Sequence, residues 1–112
     1  MRKWLIVLLM IPALAKAEFY TGNDLYSRLT DNNSIVNQMV GLGYVIGVYD
    51  VGVRVIFCPG RESGITAGQI NDMVRNWLYA NPQRRHESAE KLVLDIFKQT
   101  WPCANRNSRS AI

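Results

Sequence analysis

The most reactive side chains of this chain belong to two cysteines and a single histidine. Cys58 and His86 could act as a nucleophile and its base, because a histidine that takes up the thiol proton produces the nucleophilic thiolate. Cys58 could instead form a disulfide with Cys103, and closing so long a loop stabilises a fold by about 4 kcal/mol on the chain-entropy model. An even cysteine count favours the disulfide if the chain is exported.

The other motifs do not assemble a catalytic or metal site. His86-Glu87 begins the metalloprotease pattern H-E-x-x-H, but Glu90 stands where the second histidine is needed. One histidine and two cysteines without close spacing do not make a metal site. Asp50 lies in an apolar stretch with no base, nucleophile or second acid spaced to meet it. We therefore predict a protein that is not an enzyme and uses no cofactor and no metal.

The first seventeen residues have the pattern of a secretory signal peptide. Two basic residues precede an apolar run at 4–14, and Ala15-Lys16-Ala17 has the small-x-small form of a signal peptidase site. The apolar run is shorter than the roughly 20 residues that span a bilayer. We therefore predict a signal peptide at 1–17 and a periplasmic mature chain that starts at Glu18 and has no membrane anchor.

Removing this segment also removes most of the excess positive charge. The full chain has 13 basic and 9 acidic residues, but Arg2, Lys3 and Lys16 leave with the signal, so ten basic residues remain against nine acidic ones. A nearly neutral chain does not predict a nucleic-acid partner. The remaining length suits one small domain whose modest core benefits from a covalent cross-link. We predict this domain at 18–103 and a disordered tail at 104–112.

The stretch Gly43–Cys58 leaves the fold class open on local evidence. Valine-rich alternation at period two favours a β-hairpin over residues 44–57. Apolar residues also recur at helical spacing after Ser34, which could cap a helix. The helix face predicted by that spacing comprises Ile35, Met39, Leu42, Ile46, Tyr49 and Val53. Propensity alone slightly favours the strand, so an α+β fold and an all-α fold are both alternatives at this point.

Two glycines in the same stretch have a spacing that matters only in a helix. Gly43 and Gly47 would lie one turn apart, on a second face beside Val36, Val40 and Val51. Two glycines on one helix face allow another backbone to approach closely. If the stretch is helical, we therefore predict helix packing at Gly43 and Gly47.

Three further helices follow from capping residues and apolar spacing. Thr21 or Asn23 can cap the first, and Thr66 with Gln69 forms a capping box for the second, which ends before Pro82. The charged run Arg84–Glu87 predicts a solvated segment before the last helix. The predicted apolar stripes are Leu25, Tyr26 and Leu29; Ile70, Met73, Val74, Trp77 and Leu78; and Ala89, Leu92, Val93, Ile96 and Phe97.

From Gly43 onward the chain resembles a known family. The pattern G-Y-x-x-G-x-x-D at 43–50 is followed by Cys58-Pro59, by T-x-G-Q at 66–69, by P-x-x-R-H at 82–86 and by Pro102-Cys103. In this order the motifs resemble the Rap/Tai family of periplasmic immunity proteins, which neutralise type VI secreted peptidoglycan amidases. The combined order is more specific than any single motif.

The resemblance implies a fold and a mechanism. The fold is a small all-α, disulfide-stapled bundle of about four helices, with Cys58 bonded to Cys103 and a central helix from about Ser34 to about Gly52. The mechanism is that the domain, often a homodimer, docks on a cognate peptidoglycan amidase and occludes its catalytic cleft. These amidases use a Cys–His nucleophile pair, so occlusion is sufficient to stop them. The alternative function is a periplasmic binding or assembly factor with no toxin partner.

Partner contacts are predicted in two loops, because recognition residues concentrate in exposed loops. One loop contains Arg61, Glu62 and Ser63, and the other contains Asn32 and Asn33. The alternative for both loops is a solvated turn that contacts no partner.

Overall fold

Four α-helices and one short 3-10 turn make up the part of the chain that the structure describes. The computed structural model describes residues 20–60 and 64–104. These comprise α1 (Gly22–Leu29), α2 (Ile35–Gly52), α3 (Ala67–Ala80) and α4 (Ala89–Thr100), with the 3-10 turn Pro82–Arg84 between α3 and α4. Within these two ranges no strand forms, and β-pairing is limited to the isolated bridges Thr21–Ser88 and Val53–Phe57. The predicted all-α bundle is confirmed, and the hairpin at 44–57 is wrong.

The two ends of the chain fall largely outside this description. The predicted signal peptide at 1–17, and all of the predicted tail except Ala104, lie outside the described residues. Both remain predictions. No helix among the described residues is long and apolar enough to cross a membrane.

Short polar side chains start each helix. Thr21 caps α1, accepting a hydrogen bond from the Asp24 N–H, while the Asp24 carboxylate accepts one from the Thr21 N–H. Thr66 and Gln69 make the same reciprocal box at α3, as predicted. Each box satisfies two backbone donors that would otherwise lack partners at a helix start.

The longest helix, α2, forms in the stretch where propensity slightly favoured a strand. It begins after Ser34, whose Oγ accepts a hydrogen bond from the Asn37 N–H at 3.1 Å, and it packs against α1, α3 and α4. A helix satisfies its backbone hydrogen bonds internally, whereas a lone hairpin among helices would leave two edges of unpaired groups. Tertiary context therefore overrides the preference of valine and tyrosine for strands.

A tight turn joins α2 to the disulfide. Val55 and Ile56 donate backbone hydrogen bonds to the Gly52 carbonyl, and Arg54 adopts a left-handed conformation with φ of 64°. This turn carries the Phe57 ring into the core, where it is fully buried. Cys58 then donates a backbone hydrogen bond to the Trp101 carbonyl and is bonded to Cys103.

The core is formed by the apolar stripes predicted for α1, α3 and α4, which pack around a short segment of α2. At its aromatic end the Phe57 and Phe97 rings pack in a tilted arrangement, with 4.9 Å between ring centroids, and Tyr49 and Trp101 complete the cluster. The buried apolar residues are Leu25, Leu29, Val45, Phe57, Ile70, Val74, Leu78, Ala89, Leu92, Val93, Ile96 and Phe97. Met73, Trp77 and Trp101 are partly buried against them.

The face that α2 buries matches the predicted one only in its C-terminal half, where Ile46, Tyr49 and Val53 pack against the core. Ile35 and Met39 are 69% and 60% exposed, whereas Val45 is fully buried. The close approaches of α2 occur at Gly41 against Leu29 and at Gly52 against Phe57. A Cβ placed on Gly43 or Gly47 would meet nothing within 4 Å. No described residue of this chain packs at Gly43 or Gly47, so the helix packing predicted there stays a prediction.

We predict that Gly52→Ala destabilises the fold by about 1–3 kcal/mol, because its Cβ would lie 2.6 Å from the buried Phe57 ring and overpacking a full core costs this much. Gly68→Ala is the matched control. Its Cβ meets only the Thr66 hydroxyl at 3.9 Å, so replacing a helical glycine should stabilise by up to about 1 kcal/mol. Urea unfolding followed by circular dichroism measures both changes. Equal effects of the two variants would contradict the packing described at Gly52.

Candidate partner-binding site

The disulfide decides between the two chemistries proposed for Cys58. Its sulfur is bonded to Cys103, and no cysteine in the described part of the chain is free. His86 is exposed in the connection between α3 and α4. The thiol–histidine pair is therefore not formed. Within residues 20–60 and 64–104, no three His, Cys, Asp or Glu side chains cluster as metal ligands.

Asn32 and Asn33 lie exposed in the connection between α1 and α2. This loop is held from within by Asp31, whose carboxylate accepts hydrogen bonds from the Asn33 N–H at 3.0 Å and the Asn37 amide at 2.8 Å. Gln38 adds a bond to the Asp31 carbonyl at 2.8 Å. The two asparagine side chains are thus presented on a braced turn. Arg61, Glu62 and Ser63, the other predicted contact residues, lie outside the described residues.

An apolar groove lies beside the two open glycines. It has a volume of about 550 Å³ and runs between α2 and α4. Gly43 and Gly47 form part of its wall together with Tyr44, Val48, Val51, Ile56, Glu90 and Leu94. Because neither glycine has a side chain, the groove opens directly onto the backbone of α2.

The polar end of this groove is formed by Tyr44 and Glu90. Burial raises the pKa of the Tyr44 phenol above its ordinary value of 10.0. The negative charge of Glu90 and the neighbouring Tyr20 raise this pKa further, each by a smaller amount than burial does. The Tyr44 ring rests on the Tyr20 ring, with centroids 5.1 Å apart. The Tyr44 hydroxyl and the Glu90 carboxylate thus supply polar groups to a groove that is otherwise apolar.

A second polar surface lies at the corner between α3 and α4, where the sequence predicted a solvated segment. Arg84 donates to both oxygens of Glu87, at 2.7 and 3.1 Å, and also to Asp95. Lys91 pairs with the same two carboxylates. Arg84 also lies over the Trp77 ring, 5.3 Å from its centroid. The segment is a connected ion-pair network in which the Arg84 and Glu87 side chains are 32% and 22% exposed and His86 is exposed. The predicted contact with solvent is therefore present, but the charges are also paired with one another.

Hydrogen bonds in this network set the acidity of Glu87. The Arg84 guanidinium, then the Lys91 ammonium, hold the pKa of the Glu87 carboxyl at about 2, below its ordinary 4.5. The same bonds raise the pKa of Arg84 and Lys91. All three groups are therefore charged at neutral pH, and the corner is a structural ion-pair cluster.

The corner also anchors α1. The backbone N–H groups of Gly22 and Asn23 donate to the Glu87 and Arg85 carbonyls, both at 2.8 Å. Arg85 covers the Tyr26 ring, 4.4 Å from its centroid. A Cβ on Gly22 would lie 2.9 Å from the Arg85 carbonyl oxygen, so only glycine fits this approach. These contacts explain Arg85 as a packing residue.

The groove was not predicted from the sequence, although some of its signal was there. The G-Y-x-x-G spacing indicated a close approach, but no local rule says whether the approaching element belongs to the same chain. Leu94 and Ile56 fall outside the regular stripes that predicted the core. Apolar residues that do not belong to any predicted core stripe were the sequence signal from which the groove could have been predicted.

The fold and these surfaces define a class of protein. The chain is a small disulfide-closed helical domain with an apolar groove on its surface, and contiguous exposed apolar surface of this kind marks protein–protein interaction sites. The family model described as Rap1a immunity proteins matches residues 21–103. This match spans all four helices and most of the chain, so the protein belongs to the Rap1a immunity protein family. A search of curated proteins finds no significant match.

We predict that Glu87→Gln lowers stability at neutral pH and that the difference from the wild type disappears in acid. A carboxylate whose folded pKa lies near 2 stabilises the fold above its ordinary value of 4.5, and this contribution is lost as pH falls from 4.5 toward 2. Urea midpoints measured between pH 2 and pH 7 test this sign. Asp72→Asn removes one exposed carboxylate that pairs with Arg75, so it should change the midpoint little at any pH. A Glu87→Gln deficit that persists unchanged at pH 2 would contradict the assignment.

Proposed function

We propose that this protein is an exported immunity protein that binds a peptidoglycan amidase effector in the periplasm and occludes its catalytic cleft. The observation that carries the proposal is the Rap1a immunity match over residues 21–103. The order of motifs from Gly43 to Cys103, which resembles that of immunity proteins against type VI secreted amidases, supports this class of effector.

The disulfide supports the proposed compartment. Disulfides form and persist in oxidising environments such as the bacterial periplasm and are rare in the cytosol. The Cys58–Cys103 bond joins the turn after α2 to the end of α4, so correct closure of the bundle is coupled to export. The signal-like segment at 1–17 supplies the route. An immunity protein in this compartment meets its effector where peptidoglycan is cleaved.

Inhibition by occlusion requires shape and rigidity and no chemistry of its own. A rigid domain that covers a cleft excludes the substrate, and a preorganised surface loses less conformational entropy on binding than a flexible one. The loop at Asn32 and Asn33 meets this requirement, because three hydrogen bonds to Asp31 brace it. We propose that this loop and the loop of Arg61, Glu62 and Ser63 contact the effector. We also propose that the active form is a homodimer.

Co-expression with a periplasm-directed peptidoglycan amidase effector tests the function. Cells that direct the effector to the periplasm should survive when the full chain is present and lyse when it is absent. Deleting residues 2–17 is the matched control: this variant keeps the whole domain and loses the signal, so it should fail to protect. Equal lysis with and without the full chain would refute the proposed function, and equal protection by the deletion variant would refute the proposed compartment.

Alkylation of the effector's catalytic thiol tests occlusion separately from binding. We expect the purified mature chain, added at one equivalent, to slow labelling of that thiol by iodoacetamide and to abolish hydrolysis of peptidoglycan fragments. A complex that forms while the thiol stays fully reactive would show that inhibition acts away from the cleft.

Two paired substitutions test the proposed contact loops. We predict that Asn32→Ala with Asn33→Ala, and the charge reversal Arg61→Glu with Glu62→Arg, each weaken effector binding about tenfold, as is typical of interface residues that matter energetically. Calorimetric titration measures the change, and unaltered melting temperatures would show that folding is preserved. Tyr79→Ser, on the exposed side of α3, is the control. Unchanged affinity in both loop variants would remove these loops from the proposed interface.

A further inference from the structure

The groove between α2 and α4 has no occupant among the described residues, although most of its wall is apolar. Gly43 and Gly47 open it onto the backbone of α2, and nothing lies within 4 Å of a Cβ built on either glycine. Leu94 of α4 lines it as well. Glycine backbone of this kind allows a ligand to approach closely. A volume of about 550 Å³ accommodates an aromatic side chain together with the backbone that carries it.

We propose that the groove binds the N-terminal segment of the mature chain itself, residues 18 and 19, with the Phe19 ring lying against Gly43 and Gly47. This intramolecular ligand is independent of the effector and goes beyond the proposed function. It requires the predicted signal cleavage before Glu18, which leaves two residues ahead of Tyr20.

The first described residue lies at the polar end of the groove. The Tyr20 ring packs on the ring of Tyr44, with centroids 5.1 Å apart, and Tyr44 lines the groove. The Tyr20 carbonyl accepts a hydrogen bond of 2.9 Å from the N–H of Ala89, the residue before groove-lining Glu90. The segment that precedes Tyr20 therefore starts beside the groove.

The bridge between Thr21 and Ser88 gives this segment its direction. Because the bridge is antiparallel, the chain that leads backward from Thr21 runs alongside the chain that leads forward from Ser88 into α4. Continuing this register by two residues sets Phe19 opposite Glu90. Opposed residues of an antiparallel pair direct their side chains to the same face, and Glu90 lines the groove. The register therefore directs the Phe19 side chain to the groove.

The distances suit a phenylalanine at this position. Consecutive Cα atoms are about 3.8 Å apart, so Phe19 is held within one residue step of Tyr20. Gly43 and Gly47 lie about 6 Å apart along α2, given a rise of about 1.5 Å per residue. One phenyl ring laid along α2 covers both glycines. Burial there removes a large apolar side chain and an apolar wall from water at the same time.

The polar groups at the mouth of the groove suit a chain end. Signal cleavage creates an α-ammonium group on Glu18, directly before Phe19. Glu90 is exposed and forms no ion pair with any described residue, so its carboxylate is available to this cation. The Tyr44 hydroxyl can accept a hydrogen bond from the same group. A purely apolar occupant would instead cover the carboxylate without pairing it, which is unfavourable.

Covalent attachment favours this segment over an occupant from another molecule. A ligand tethered by a short flexible link has an effective concentration in the millimolar range. A second copy of the chain, or an effector, has to displace a ligand that is already present at this concentration. The observations that favour the N-terminal segment are therefore its position at Tyr20 and its direction at the Thr21–Ser88 bridge.

Fluorine NMR of the exported chain, labelled with 4-fluorophenylalanine, tests the inference. The mature sequence has three phenylalanines, two of them in the core, so the spectrum is simple. Mass spectrometry first establishes where the purified chain starts, and Phe19→Leu assigns the Phe19 signal by removing it. We expect a soluble gadolinium chelate to leave this signal as sharp as the two core signals.

A groove-filling variant then removes the site without removing the ligand. Gly47→Leu places a side chain in the open space of the groove, so the Phe19 signal should lose its protection from the chelate while helix content is unchanged. Gly68→Leu, on an exposed position of α3, is the matched control and should keep the protection.

Digestion by an aminopeptidase measures the same contact without a label. A segment that is bound for about nine-tenths of the time is cleaved about tenfold more slowly than a free one. Gly47→Leu should therefore release residues 18 and 19 at least about tenfold faster than the wild type, and Gly68→Leu should release them at the wild-type rate.

The outcomes identify the occupant. A Phe19 signal that the chelate broadens in the wild type, equal digestion of wild type and Gly47→Leu, or a chain that starts after Phe19 overturns the inference. Protection that disappears on dilution would assign the groove to a second copy, and protection that appears only when an amidase is added would assign it to the effector. Both results also overturn the inference. None of these measurements requires neutralisation, so failure to protect cells counts against the proposed function alone.

Discussion

The rest of the structure depends on the closure between the end of α2 and the end of α4. A tight turn carries Phe57 into the core, where its ring packs against Phe97, and the next residue, Cys58, is bonded to Cys103. This closure holds α2 in position. Although α2 is the longest helix, its only buried residues are Val45 and two glycines. Apolar burial alone would anchor such a helix weakly. A covalent bond and an aromatic cluster at its C-terminal end compensate.

Fixing α2 in this way divides its surface into two unlike halves. One half packs on α1, α3 and α4 through Gly41, Val45 and Gly52, where small residues allow close contact. The other half leaves Gly43 and Gly47 open to solvent beside an apolar groove. A helix that is apolar on both sides is typical of one that is buried on both sides. The surface of the single chain is consistent with a protein whose function is to associate with other proteins.

The family match and the physical description agree on the kind of function. The described residues hold one disulfide, an ion-pair corner and an apolar groove, and the charged groups of the corner are paired with one another. Arg84 and Glu87 stabilise the connection on which the start of α1 rests. The side chains whose pKa values are shifted most therefore stabilise the fold. What remains accessible is surface shape and apolarity, which are the properties that an inhibitor by contact requires.

The sequence by itself determined α1, α3 and α4 and their buried stripes, because capping residues such as Thr21 and Thr66 and helical spacing are local signals. It also supplied the two cysteines that are bonded. It did not determine α2, where valine, tyrosine and glycine have weak or opposing local preferences and only the neighbouring helices make a helix the better solution. Nor did the sequence show which glycines of α2 pack against other elements of the same chain. That distinction depends on where Leu29 and Phe57 lie in space, so only the tertiary structure showed that Gly41 and Gly52 are filled while Gly43 and Gly47 are left open.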